Sequence, residues 1–178
     1  MRHLLFVACS ALALSTASCS PAPRPAPLSS PRSVAARAPD FTVDLIGGER
    51  FHLGDHLGKD VVVIDFWTTY CQPCVGSLEH LQQAYSARKS QGLVVLAVSI
   101  DPPNTAAQVA AFVRTHALSF PVAHDVESRI TELYNKKGAA PFQVLIGRDG
   151  SVLRVRETYQ SADDAAIDHD LDLALSVK

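Results

Sequence analysis

After Lys59 and Asp60, polar residues almost vanish along KDVVVIDFW, where six β-branched or aromatic side chains from Val61 to Trp67 surround a single acid, Asp65. A short apolar run of this composition predicts a buried strand. The pattern then changes period. PCVGSLEHLQQAYSARK, from Pro73 to Lys89, places Val75, Leu78, Leu81 and Tyr85 at helical spacing, and GLVVLAVSI returns to a continuous apolar run that predicts a strand over Leu93 to Ile100. Helices are expected over Thr105 to His116 and Val126 to Tyr134, strands over Phe142 to Ile146 and Ser151 to Val155, and a last helix over Ala162 to Leu175. GRDG, from Gly147 to Gly150, is a tight-turn signal that makes the last two strands antiparallel. Ahead of all these, DFTVDLIGGERFHLGD, from Asp40 to Asp55, reads as a hairpin turning at Gly47-Gly48. Alternating strands and helices argue for an α/β domain with a central sheet flanked by helices.

The first 38 residues follow a different logic. MRHLLFVACSALALSTASC has Arg2 at its positive end, an apolar core from Leu4 to Leu14 and small residues beyond, the three parts of a secretory signal over residues 1–18. Cys19 after TAS resembles a bacterial lipoprotein signal, which implies a lipidated N-terminal cysteine; simple cleavage near Ala17 to Ser20 is the alternative. Residues 19–38, rich in Pro, Ala and Ser, carry too few large apolar groups to fold and are expected to form a tether, leaving one domain over residues 39–178. The expected location is therefore the periplasm or cell envelope, with membrane contact through Cys19. A net charge of −2, with no lysine or arginine run, gives no footing for nucleic acid.

Four cysteines are present, but Cys9 and Cys19 belong to the N-terminal segment, so Cys71 and Cys74 are the thiols of the domain. Their CxxC spacing fits a metal clamp, a structural staple or a redox pair. A zinc site would need two more ligands, and His52, His56, His80, His116, His124 and His169 are scattered singly. A staple closing so small a loop would add little stability. Redox chemistry suits the context better, because the pair lies where the buried strand turns into the helix, with Pro73 at the first helical position. There the helix dipole favours a Cys71 thiolate, making Cys71 the expected nucleophile and Cys74 the resolving thiol.

DFWTTYCQPC, from Asp65 to Cys74, resembles the active-site motif of the thioredoxin superfamily. GLVVLAVSIDPP and FPVAHDVESRITELYNKKGAAPFQVLIGRDGSVLRV extend the resemblance to the exported TlpA/ResA-type thiol-disulfide oxidoreductases of the redoxin branch. It implies a thioredoxin-like fold with a central insertion over Asp101 to Val122 and no cofactor beyond a redox-active Cys71–Cys74 disulfide. It also implies a cis-proline at Pro141, a buried acid at Asp65 that helps deprotonate the resolving cysteine, and substrate contacts from Trp67, Tyr70, Gln72, Pro73 and Ala140. Ser77 departs from the family, which often carries an acid there, and Glu79 stands where a helix-kinking proline is common, so the first helix is expected to run straighter. NKKG, from Asn135 to Gly138, reads as a solvated helix exit. Implied partners are exported cysteine-containing proteins, apocytochrome c among them, and a membrane thiol donor, with the protein acting as a monomer and more as reductant than oxidant. A peroxiredoxin activity would need a proline where Ile64 stands in the PxxxTxxC pattern, and a metal-binding or adaptor lipoprotein would use the two thiols as ligands.

Overall fold

The computed structural model describes residues 36–177; the signal segment, Cys19 and the tether as far as residue 35 lie outside the described residues. Its centre is a five-stranded mixed sheet in the order β5-β4-β3-β6-β7. Strand β3 (Val61–Trp67) is buried at all seven positions. It pairs in parallel with β4 (Leu93–Ser99) and antiparallel with β6 (Phe142–Ile146). The outer strands are β5 (Val122–His124), parallel to β4, and β7 (Val152–Arg156), antiparallel to β6 through the predicted Gly147 to Gly150 turn.

Alternation along β3 divides the core in two. Val61, Val63 and Trp67 face Leu78, Leu81 and Ala84 of helix α1 (Gln72–Arg88), Val109 of α2 (Ala106–Thr115), and Ile167 and Leu171 of α4 (Asp164–Ser176). Val62, Ile64 and Phe66 face the other way, towards Phe51, Leu53 and Ile130 of α3 (Arg129–Tyr134). Asp65 shares the parity of Val63 and Trp67, so its carboxylate is turned to the α1 side. Helix α1 runs unbroken through 17 residues, as expected without a proline at position 79.

Several expectations are corrected. The hairpin is shorter than the segment from Asp40 to Asp55: β1 (Thr42–Asp44) and β2 (Arg50–His52) form a separate two-stranded ribbon, after which Leu53–Asp55 makes a 3₁₀ turn. The ribbon joins the main sheet through the Ile46 N–H, which donates to the Val122 carbonyl. The three residues of β5, which begin at the last residue of the expected insertion, lie between two expected helices where the sequence predicts no strand, too short a stretch to display a period. Helix α3 starts at Arg129 rather than Val126, because the Asp125 carboxylate accepts the N–H groups of Ile130 and Thr131 and so fixes the first turn beyond it. Arg37 and Ala38, assigned to the tether, belong to the fold: Arg37 pairs with Ser151, and the Ala38 N–H donates to the Gly150 carbonyl.

Leu81 is fully buried between β3 and α4, whereas Leu173 on α4 is half exposed. Leu81→Ala is expected to lower stability by about 2–5 kcal/mol through lost burial and a residual cavity. Leu173→Ala should change it by no more than about 0.5 kcal/mol. Urea unfolding midpoints of the two variants check the contrast.

Candidate active site

Strand β3 ends at Trp67, and after a tight turn the chain enters α1 with Cys71 as its N-cap and Pro73 in the first turn. The Cys71 backbone is extended, with φ −88° and ψ 100°, and its Sγ accepts the Cys74 N–H at 3.2 Å. Cys71 and Cys74 are joined in a disulfide. Cys74 is fully buried, while Cys71 is half-buried at the floor of an open cleft of about 440 Å³. On reduction, the sulfur that leaves the bond at the surface is the one aligned with the free amides of the helix start, and that position favours a thiolate.

Two buried polar residues hold the loops around the disulfide. Asp101, just past β4, accepts the Thr69 N–H at 3.0 Å, the Thr69 hydroxyl at 2.6 Å and the Ser99 hydroxyl at 2.8 Å. This fixes the turn that carries Tyr70 and Cys71. On the opposite side Asn135, almost wholly buried, donates its Nδ2–H to the Ala139 carbonyl at 2.7 Å and accepts the Ala139 N–H at 3.0 Å. NKKG is therefore not simply a solvated exit: Lys136 and Lys137 are exposed, but Asn135 clamps the loop that leads into the cis Ala140–Pro141 bond. Neither anchor was identified from sequence. Asp101 lies two residues past a buried strand and Asn135 directly follows a helix, but each acts on a partner chosen by the fold.

The remaining sequence-derived positions divide clearly. Tyr70, 77% exposed, together with Gln72, Pro73 and half-buried Ala140 lines the cleft. Trp67 does not. It is fully buried beneath the first turn of α1 with its ring 4.6 Å from that of Phe112, because strand parity turns it inward with Val63 and Asp65; its assignment to substrate contact is corrected.

Asp65 is completely buried. The Ser77 hydroxyl donates to its Oδ1 at 3.1 Å, and the Gln143 Nε2 donates to the Ser77 Oγ at 3.0 Å. Oδ2 has no hydrogen-bond partner among the described residues. Burial raises the Asp65 pKa from 3.8 to about 7, an effect the polar neighbours Gln143 and Ser77 reduce in part. Ser77 lies one helical turn beyond Cys74, so its bond holds the carboxylate on the face of α1 that carries Cys74.

A carboxyl that holds its proton to about pH 7 when folded, but releases it near pH 4 when unfolded, favours the folded state fully only below about pH 4. Stability is then lost as the pH rises to about 7, by as much as roughly 4 kcal/mol. Asp65→Asn is expected to remove this slope and to be more stable than the parent at pH 8. Unfolding midpoints measured between pH 4 and pH 8 check it, and parallel curves for the two proteins would contradict it.

The sequence profile of the AhpC/TSA family matches residues 34–155, a span that includes both cysteines, Asp65 and Pro141. The chain is 32% identical over 123 residues to the thiol-disulfide oxidoreductase ResA of Geobacillus kaustophilus, covering 69% of this chain and 68% of that relative. It is 31% identical over 123 residues to ResA of Bacillus subtilis, covering 69% and 66%. Among solved structures, a Chlorobium tepidum protein assigned as the thiol:disulfide interchange protein DsbE superposes with a TM-score of 0.73 at 31% identity, covering 80% of this chain and 97% of that one. The chain belongs to the AhpC/TSA family, as a thiol-disulfide oxidoreductase of the TlpA/ResA type with a thioredoxin-like fold.

Proposed function

We propose that the protein works outside the cytoplasm, held to a membrane of the cell envelope through a lipidated Cys19, and reduces disulfides in exported proteins. The observation that carries the chemistry is the pairing of a half-exposed Cys71 at the N-cap of α1 with a fully buried Cys74 one turn on. The secretory-type segment over residues 1–18 and the Pro-rich tether support the location.

In the reducing direction the Cys71 thiolate attacks one sulfur of the substrate disulfide. The substrate S–S bond breaks and a mixed disulfide with Cys71 forms. Cys74 then gives its thiol proton to the Asp65 carboxylate and attacks the Cys71 Sγ, which closes the Cys71–Cys74 bond and releases the second substrate sulfur as a thiolate. Two electrons pass from the cysteine pair to the substrate. A buried base with a pKa of about 7 supports this direction, because releasing reduced substrate requires that Cys74 lose its proton near neutral pH. Clients of this chemistry include cysteine-containing apoproteins such as apocytochrome c, and a membrane thiol donor would restore the dithiol. The cleft beside Cys71, edged by Tyr70, Pro73 and Ala140, suits an extended segment with apolar flanks.

Replacing Cys71 with Ser is expected to abolish disulfide reduction. Cys74→Ser should still attack substrate but stop at the mixed disulfide, which mass spectrometry detects as an adduct removed by dithiothreitol. Reductase activity retained by Cys71→Ser would contradict the assignment of the nucleophile.

A further inference from the structure

Ser77 is a hydroxyl in a core position, fully buried on the face of α1 that carries Leu78 and Leu81 towards the sheet. Both of its hydrogen-bonding roles are taken. The Gln143 amide, a donor at Nε2, supplies the bond the Ser77 oxygen accepts, so the Ser77 proton is directed to Asp65 Oδ1. Gln143 stands directly opposite Asp65 in the β3–β6 register, so an amide from the strand and a hydroxyl from the helix meet beside the same carboxyl group.

We infer that Ser77 and Gln143 are positioning residues for the proton acceptor: the chain Gln143–Ser77–Asp65 occupies Oδ1 and leaves Oδ2 as the atom that takes the Cys74 proton. This rests on Asp65 being that acceptor. The surroundings isolate the device. Opposite Asp65, β4 presents Ala97 and β6 presents Gln143, α4 contributes Ile167 and Leu171 to this side of the core, and the titratable group from α1 is Cys74 itself. Of the next ionisable residues on α1, Glu79 is exposed and lies 3.7 Å from His116, and His80 is turned away towards Asp164 at 3.5 Å and Asp168 at 3.6 Å on α4. Among the described residues no charged side chain shifts Asp65; its neighbours act as neutral donors. A lysine or arginine in their place would hold the carboxylate ionised well below neutral pH, whereas a neutral hydroxyl fixes its orientation and leaves it able to cycle between acid and base.

The test follows the reduced protein reacting with 5,5′-dithiobis(2-nitrobenzoate) between pH 5 and pH 9. The first thionitrobenzoate released reports attack by Cys71, and the second reports closure by Cys74. Ser77→Ala removes a hydrogen bond to the ionised carboxyl, which raises its pKa, so the pH midpoint of the second release should move upward by about one unit or more. Ser77→Thr keeps the hydroxyl and should restore the parent midpoint. Gln143→Met, which removes the donor to Ser77 while keeping the core filled, should shift the midpoint in the same direction, and it carries the comparison if Ser77→Ala does not fold. A Ser77→Ala protein slowed equally at every pH, with its midpoint unmoved, would overturn the inference. A midpoint unmoved by Asp65→Asn would instead overturn the role of Asp65 itself.

Discussion

The Cys74 N–H that points at the Cys71 sulfur exists only because α1 begins where it does, at the C-terminal end of the most buried strand in the molecule. Strand β3 is fixed by ladders on both edges and packed on both faces, so its last residue is a rigid point from which the helix is launched. Asp101 ties down the turn between them, and Asn135 ties down the facing loop. The cleft is thus a gap between two anchored loops at one end of the sheet. Its single covalent bond spans the half-exposed and the fully buried side of the helix start.

The same rigidity explains a local contradiction. A carboxylate in the middle of a fully buried apolar strand costs free energy unless it is paired with a charge or kept protonated, and Asp65 has no cation beside it among the described residues. Such a breach of the otherwise consistent pattern is the mark of a residue kept for chemistry. In the proposed function that chemistry is proton transfer from a thiol that the same burial keeps away from solvent.

Much of this was legible in the chain. β3, β4, β6 and α1 appear as uninterrupted apolar runs or clear helical spacing, and they are the elements that carry Asp65, Cys71 and Cys74. β5 was not, because three residues show no period, and its place at the sheet edge depends on pairing with β4. The inward turn of Trp67 is legible in its parity with Val63 and Asp65, whereas the likeness of the motif to its family points to the surface. Asp101 bonds a residue 32 positions away, and Asn135 is buried only once the following loop folds back over it, so neither has a signature in local pattern. Ser77 reads in the sequence only as a missing acid. Its place between Gln143 and Asp65 requires residues 66 positions apart to be neighbours.

The most direct test of the central claim is the equilibrium reduction potential of the Cys71–Cys74 pair, titrated in full-length protein against glutathione and dithiothreitol buffers. The account predicts one reversible two-electron couple near the thioredoxin end of the scale, about −270 mV, as befits a reductant supplied by a membrane thiol donor. A couple near about −120 mV would contradict the reducing direction, and the absence of any reversible couple would contradict thiol-disulfide exchange through these two cysteines.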